Sequence, residues 1–504
     1  MTILSVTALA DTYDLVIVGA GPAGLSAATV AAGHPLSVLL IDENASVGGQ
    51  IYRAITTTPT QNKTVLGQDY WRGATLANQF LQSAVTYLPQ AVVWSVRSLN
   101  GRSEITKSTR QPRESGDDGN GAAIHQQPLS DPSPGFEIGI SAGGISRLIR
   151  TNQCILATGA LERPFPVPGW TLPGVMTVGA AQTLLKESGI IPDGNIVLAG
   201  CGPLLYVLAQ EIATAGGRLL AVLDTTPAAN WRRALSALPA FLSSPYATKG
   251  VKLLLSARWN TRIISNVTDI ALKGTEKAVD HIRFRRRGGV TERLSADVVL
   301  LHQGVIPDIN LSSAAGCAHD WNPRQLCWSP RVDETFQSTV HNLAIAGDGS
   351  GIGGADSSVI AGEIAAIGAI HRLGRIEPNA YRHQLAEKRR AWKRQMRGRQ
   401  FIDRLYTPGK QFRIPEDPAT IVCRCEEITA GRIRQTVADG CSGPNQLKAF
   451  LRCGMGACQG RLCGVTVSEL ISDIKGSTPG DVGHFHLRPP VKPITLAELA
   501  ALRK

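Results

Sequence analysis

Asp14-Leu15-Val16-Ile17-Val18-Gly19-Ala20-Gly21-Pro22-Ala23-Gly24 decides the fold of this chain. An apolar run of β character meets Gly-x-Gly-x-x-Gly, and a helix of small residues follows. In that setting each glycine has a task. Gly19 permits the tight turn, Gly21 lets the backbone approach a pyrophosphate, and Gly24 lets helix and strand pack closely. Pro22 and Ala23 belong to the same turn, whose helix start offers free N–H groups and a positive dipole end to phosphates. Leu36 to Ile41 reads as the next strand, completing a βαβ unit. Asp42 and Glu43 stand at its end, where a carboxylate accepts hydrogen bonds from the adenosine ribose; Glu43 is favoured, with Asp42 next. The bland alternative is a glycine-rich turn in some other α/β protein.

Three further segments favour FAD over NAD at this turn. Leu343-Ala344-Ile345-Ala346-Gly347-Asp348 resembles the late flavin motif of two-dinucleotide-domain oxidoreductases, in which the aspartate binds the ribityl chain beside a helix N-terminus. Ile155-Leu156-Ala157-Thr158-Gly159 resembles the strand that marks the passage between the two domains. Gly48-Gly49-Gln50 resembles a companion motif of thioredoxin-reductase-like flavoproteins.

A second unit starts at Asn195-Ile196-Val197-Leu198-Ala199 and turns at Gly200-Cys201-Gly202-Pro203-Leu204-Leu205, with a strand from Leu219 ending at Asp224. Here Leu205 replaces the third glycine, and its side chain should obstruct close helix–strand packing. Asp224 could still hold a ribose. A retired nicotinamide domain is preferred to a working one, so reducing equivalents should come from another subunit.

With 504 residues, two or three domains are expected. The boundaries read as a FAD-binding domain in two parts, 1–165 and 301–375, around a degenerate NAD(P)-binding-like domain, 166–300. A basic helical connector, 376–415, a [2Fe–2S]-binding domain, 416–475, and an extended proline-punctuated tail, 476–504, follow. The polar stretch from about Asn100 to Pro134 reads as a surface insertion without assigned function. The net charge of +12 is scattered. Its densest part, Lys388-Arg389-Arg390-Ala391-Trp392-Lys393-Arg394, reads as a solvated or partner-docked helix face, because no nucleic-acid motif accompanies it. No apolar run has the length a bilayer requires, and no signal peptide is evident, so a cytoplasmic location is expected.

Six of the ten cysteines crowd one region: Cys423, Cys425, Cys441, Cys453, Cys458 and Cys463. Clustering in a large chain without secretory features points to metal. Cys423-Arg424-Cys425 with a distant second pair supplies four thiolates, the usual complement of a [2Fe–2S] cluster. The expected ligands are Cys423, Cys425, Cys458 and Cys463, with Cys453 in reserve. Zn²⁺ is the alternative metal, since four thiolates suit it equally; a flavin in the same chain favours the redox centre. Cys154, Cys201, Cys317 and Cys327 read as small buried hydrophobes.

The order of these motifs, through Gly48-Gly49-Gln50-Ile51-Tyr52-Arg53 to Cys-Arg-Cys-Glu-Glu and Cys-Gly-Met-Gly-x-Cys-Gln-Gly-Arg-x-Cys, resembles the A-subunit family of bacterial opine oxidases over nearly the whole chain. Subunits of D-hydroxyproline dehydrogenase, hydrogen cyanide synthase and heterotetrameric sarcosine oxidase share the plan. Bacterioferritin-associated ferredoxins resemble the cysteine module alone, with a narrower closing pair. The resemblance implies an α/β, Rossmann-like, two-dinucleotide-binding-domain flavoprotein with a small ferredoxin-like module. It further implies a flavin-carrying B subunit of amino-acid-oxidase type, with room for a small third subunit and, between subunits, for FMN. A respiratory acceptor would bring the complex to the inner membrane as a peripheral protein. Substrate oxidation, of octopine or nopaline to arginine and a 2-oxo acid, would fall on the B subunit. Consistently, no His or Glu here sits in a recognisable catalytic motif, and a structural role is expected for His302 and Gln303. The competing readings are an NAD(P)H-dependent disulfide-reductase-like enzyme, which should show Cys-x-x-Cys beside the second turn, and a non-enzymatic iron–sulfur storage or assembly protein.

Overall fold

Strand β1 (Thr12–Val18) is largely buried and lies at the centre of the first sheet. It pairs in parallel with β2 (Val38–Ile41), which pairs in parallel with β3 (Thr86–Leu88). On its other side runs the long β6 (Ile145–Leu156), also parallel to β1. The first half of β6 carries the antiparallel β5 (Phe136–Ala142), which in turn pairs with β4 (Val92–Ser98). The last residues of β6 take up the late strand Leu343–Ile345 instead, which returns from nearly two hundred residues downstream. The structure, a computed structural model, describes residues 1–60, 63–99, 135–251, 253 and 261–502. The polar stretch expected as an insertion, about 100–134, lies outside the described residues.

Helix α1 (Pro22–Ala32) begins with proline at a first-turn position, where its fixed φ suits the helix and its missing N–H costs nothing. Ala27, Ala28 and Ala31 are fully buried, so this helix offers no bulk to its neighbours. Helix α2 (Lys63–Leu81) joins the same core through Tyr70, Ala77 and Phe80. The helix Ala355–Arg372 uses the thinness of α1: a Cβ on Gly362 would lie 2.0 Å from the carbonyl oxygen of Ala23. The late strand and this helix thereby seat the Gly347-Asp348 corner against the start of α1.

The chain crosses between the two units through an antiparallel pair, β7 (Ala160–Glu162) with β16 (Val305–Pro307). The second sheet is wholly parallel, in the order β11 (Ile263–Ile264), β10 (Leu219–Asp224), β9 (Ile196–Gly200), β15 (Val298–His302), β8 (Val175–Thr177). An antiparallel meander, β12 (Val267–Gly274), β13 (Val279–Arg286) and β14 (Thr291–Ser295), shares a core with it. Helices α3 (Val178–Ser188) and α4 (Pro203–Thr214) also pack with it.

The basic connector forms helices Pro378–Met396 and Arg399–Leu405. Part of its charge meets the chain's own acids: Lys388 pairs with Glu363 at 2.8 Å, and Arg389 with Glu334. The C-terminal module holds a short hairpin, Ile421–Cys423 with Ile428–Thr429, and helices Ala430–Ala438, Pro444–Leu451 and Gly464–Lys475. Its core is closed by Phe485 and Leu487 from the tail. Beyond, Val491 is buried against the first sheet, its N–H donating to the Trp94 carbonyl at 3.0 Å.

Candidate dinucleotide site and cysteine centre

The first glycine turn is as tight as backbone allows. Gly19 has φ +106°, and a Cβ there would lie 2.4 Å from the Ala157 carbonyl oxygen. At Gly24 a Cβ would lie 1.8 Å from the carbonyl oxygen of Gly19, so any side chain would force α1 off the strand. Gly21 differs. A Cβ there would meet only the Gly49 Cα, at 3.7 Å, so the protein itself does not require this glycine. A second glycine that the packing does not require, at the mouth of a helix, fits the close backbone approach a diphosphate needs.

The other expected segments gather round this mouth. Gly48 donates its N–H to the Ala20 carbonyl at 2.8 Å, and Gly49 packs so closely on Gly21 that a Cβ would stand 2.7 Å from its Cα. Gln50 and Ile51 are held by buried Lys186 of α3, whose Nζ donates to their carbonyls at 3.4 and 2.9 Å. Burial drives this lysine down to about 8, against the pull of Glu211. Gly347 presses on Ala23, its would-be Cβ 2.8 Å from the alanine's Cβ. Asp348 accepts the N–H groups of Gly353 and Gly354, both at 2.8 Å, and the Ser358 hydroxyl at 3.4 Å, all on Oδ1. Thr158 donates to the Asp308 carbonyl at 2.9 Å, and Gly159 accepts the Asp308 N–H at 3.0 Å.

The two carboxylates after β2 separate by role. Asp42 turns inward, accepting the Ala20 N–H at 2.5 Å and both the backbone and side-chain nitrogens of Asn44 at 2.7 Å. Burial raises its pKa, and those donors oppose the rise. It braces the turn. Glu43 is half exposed and pairs with Lys492 of the tail, which leaves it the carboxylate available to a ligand.

The second turn repeats the backbone and lacks the space. Gly200 has φ +145°, and its Cβ would lie 1.7 Å from the His302 carbonyl oxygen, as Gly19 does with Ala157. Over Gly202, however, stands the His302 imidazole, with Nε2 3.1 Å from the position a Cβ would take. Glu162 pins that ring through Nδ1 at 2.6 Å, and accepts the Gly179 N–H at 2.8 Å. The carboxyl ends of β9 and β10, where such folds bind their ligand, are crossed by Leu405-Tyr406-Thr407. Asn230 donates to the Leu405 and Thr407 carbonyls at 3.0 and 2.8 Å, and the Cys201 thiol points at the Tyr406 carbonyl at 3.6 Å. Asp224 is engaged by the Tyr206 hydroxyl at 3.0 Å and the Thr226 N–H at 2.9 Å. Leu205 is buried in the core beneath α4, a placement the first turn could not accept. His302 and Gln303 are both buried; Gln303 donates to the Phe412 carbonyl at 2.7 Å.

In the C-terminal module the sulfurs of Cys423, Cys453 and Cys463 lie within 4.8 Å of one another, all buried. Cys458 is hydrogen-bonded to Cys425, which is exposed. The four expected ligands thus come together as two pairs, and the reserve residue, Cys453, joins the inner one. Thiols of Cys453 and Cys463 donate to Cys423, and the N–H groups of Gly454 and Glu426 do the same, driving its pKa down to about 2. Their hydrogen bonds to Cys423, with burial behind them, hold Cys453 and Cys463 up. Left-handed backbone at Glu427, Arg452, Gly454, Gln459 and Gly460 curls the loops so that amides face the sulfurs. Gly456 is obligatory beside Cys425, whose Cβ would be 2.3 Å away from a side chain there. Phe485 fills the floor under Gly454 and Gly460, where Cβ atoms would lie 2.6 and 2.5 Å from its ring. A concentrated thiol set with amide donors suits a thiolate-bound metal centre. Cys441 stays apart, bonded to the Gly443 carbonyl. Cys154, Cys201, Cys317 and Cys327 are buried, and burial raises every one of their pKa values.

The cysteine loop is docked on the dinucleotide domain by residues that no motif announces. Asn310 donates to the Cys458 and Gln459 carbonyls, both at 3.3 Å, and Arg461 approaches Asp308 at 3.8 Å. Arg461 lies within the Gln-Gly-Arg segment between two cysteines, which was the one available signal; Asp308 and Asn310 carry none.

Residues 13–365 match the pyridine nucleotide-disulphide oxidoreductase family, and residues 418–503 the sarcosine oxidase A3 domain. A protein of Rhizobium meliloti, named as the A subunit of opine oxidase, is 45% identical over all of this chain and 90% of its own length. Another of that name from Agrobacterium tumefaciens is 44% identical over 98% of this chain and 93% of its own. Among solved structures, L-proline dehydrogenase from P. horikoshii superposes with a TM-score of 0.66 at 18% identity, covering 97% of this chain and 79% of that one, a likeness of fold. No helix among the described residues is long and apolar enough to cross a membrane. The similarity to the two opine oxidase relatives covers nearly the whole chain, and the chain belongs to the opine oxidase A-subunit family of flavin-type oxidoreductases.

Proposed function

We propose that this chain is the electron-transfer subunit of a heteromeric, cytoplasmic opine oxidase, with FAD at the first glycine turn and a [2Fe–2S] cluster in the cysteine module. Bound there, FAD would supply a two-electron acceptor that can be emptied in single steps, and the cluster a one-electron carrier. The chain's own residues supply the setting. The amides opening α1 and the open face of Gly21 hold the diphosphate, Glu43 the adenosine ribose, and Asp348 the ribityl chain. Cys423, Cys425, Cys458 and Cys463 hold the cluster, with Cys453 as the inner neighbour of two of them. Redox metal is favoured over zinc because the thiol loop is fastened, through Asn310 and Asp308, to the same Thr158-Gly159 corner that lines the first turn.

The observation that carries this reading is the contrast at the two turns: over the first the only near atom is the Gly49 Cα, at ordinary contact distance, while the second is crowded by His302 and crossed by the chain's own backbone. Electrons then arrive from a partner and not from nicotinamide. On a B subunit, the secondary amine of octopine or nopaline would lose two electrons and two protons to become an imine. Water adding across the C=N bond would release arginine and a 2-oxo acid. The test is co-purification with the product of a neighbouring B-subunit gene, followed by flavin, iron and acid-labile sulfide analysis. Dye-linked assays on octopine, nopaline, D-hydroxyproline, sarcosine and glycine complete it. Dye reduction by NADH and by none of the amines overturns the proposal; zinc in place of iron overturns its second half.

A further inference from the structure

Four charges alternate where the cysteine module meets the dinucleotide domain. Two are carboxylates of that domain: Glu43, just past β2, and Asp308, whose backbone is bonded to Thr158 and Gly159. Two are cations brought by the C-terminal region: Arg461, from the loop between Cys458 and Cys463, and Lys492, from the tail. Lys492 pairs with Glu43, and Arg461 with Asp308. The two pairs are also close enough to interact, for Asp308 feels both Lys492 and Glu43. The tail is held in place by more than charge. Val491, next to Lys492, is buried in the core of the first sheet and bonded to Trp94. A fixed backbone therefore delivers Lys492 to Glu43.

Glu43 uses Oε2 for Lys492, and its other oxygen remains for a ribose diol. Lys492 thus sits beside the ligand-facing carboxylate without consuming it. Held at Glu43, its cationic head would add positive charge to a site that takes an anionic dinucleotide. We infer that the C-terminal region completes the adenosine end of the first dinucleotide site, with Lys492 as its contact residue and Asn310 and Arg461 as positioning residues, so that dinucleotide binding and docking of the cysteine module are coupled. This rests on reading the first turn as a dinucleotide site. Coupling of this kind is reciprocal: whatever the docked module adds to dinucleotide affinity, the dinucleotide returns as tighter docking.

The experiment uses the full chain, stripped of flavin and titrated with FAD by fluorescence quenching. Amide hydrogen exchange of the 488–496 segment is followed with and without FAD. Lys492→Ala should weaken FAD by about tenfold, toward the lower end of the usual range for coupled sites, while Lys492→Arg keeps most of the affinity. In the wild type FAD should slow exchange in the tail, and in Lys492→Ala that protection should disappear. Asn310→Ala should give a smaller loss of FAD affinity in the same direction. Visible circular dichroism of the iron-loaded module establishes that each variant keeps its cysteine centre. Unchanged or tightened FAD binding in Lys492→Ala, with no change of tail exchange on adding FAD, overturns the inference and leaves the reading of the site intact. A wild type that takes up no FAD overturns both.

Discussion

Gly19 and Gly200 perform the same service: each has positive φ and each rests on a neighbouring strand's carbonyl, Ala157 in one turn and His302 in the other. The difference lies one step further along. Over Gly21 a Cβ would make one ordinary contact, whereas over Gly202 it would press on an imidazole fixed by Glu162. The third positions diverge as well, glycine in contact with backbone in the first turn and a core leucine in the second. A Gly-x-Gly pattern thus reports how the backbone bends. Whether a dinucleotide can bind is decided by what distant parts of the chain put above the bend.

Substitutions can break this comparison at either end. The largest effect is expected from Leu205→Gly, which restores the glycine pattern of the second turn. Emptying a fully buried leucine site and placing glycine in a helix should cost roughly 4 kcal/mol, read by denaturant unfolding, and NADH should still not bind. NADH binding by that variant would show that the leucine alone closes the second site. Gly24→Ala comes next, at about 3 kcal/mol for the overpacked turn, with loss of flavin as well. Gly21→Ala is the sharpest probe. Because only the Gly49 Cα lies near, thermal stability should hold, while FAD affinity falls by at least about tenfold (~1.4 kcal/mol) through lost approach of the diphosphate. A parallel loss of stability would mean that Gly21 serves the fold instead. Cys201→Ala should have the smallest effect, less than about 1 kcal/mol for one weak thiol contact, with flavin content unchanged. A drop in electron transfer there would revive a disulfide-type mechanism.

Much of this contrast could be read along the chain, and the remainder could not for a definite reason. Gly19, Gly21 and Gly24 follow a strand and precede a helix within a few residues, so local pattern suffices. Leu205 announced the damaged second turn in the same way. The blockage is another matter: His302 and Tyr406 reach the second turn from about one hundred and two hundred residues further along the chain, Asn230 anchors the neighbours of Tyr406, and none belongs to a motif. Asp42 and Glu43 are adjacent and chemically alike, so only the fold tells the inward brace from the outward acid. Among the cysteines, spacing picked out the crowded region, while the place of Cys453 beside Cys423 and Cys463 depends on how two loops curl over Phe485. The basic helix was legible as amphipathic, but its partners Glu363 and Glu334 come from the chain itself.

Tyr406 and its neighbours have a consequence for metabolism if the chain works as proposed. A port closed by hydrogen bonds to its own main chain lowers the apparent affinity of a soluble nucleotide by the fraction of time it stands open, so far higher concentrations are needed to enter it. Such a subunit would be insulated from the cell's nicotinamide pool in both directions, neither draining NADH into respiration nor being reduced while its amine is absent. Its turnover would follow the supply of substrate at one end and of acceptor at the other.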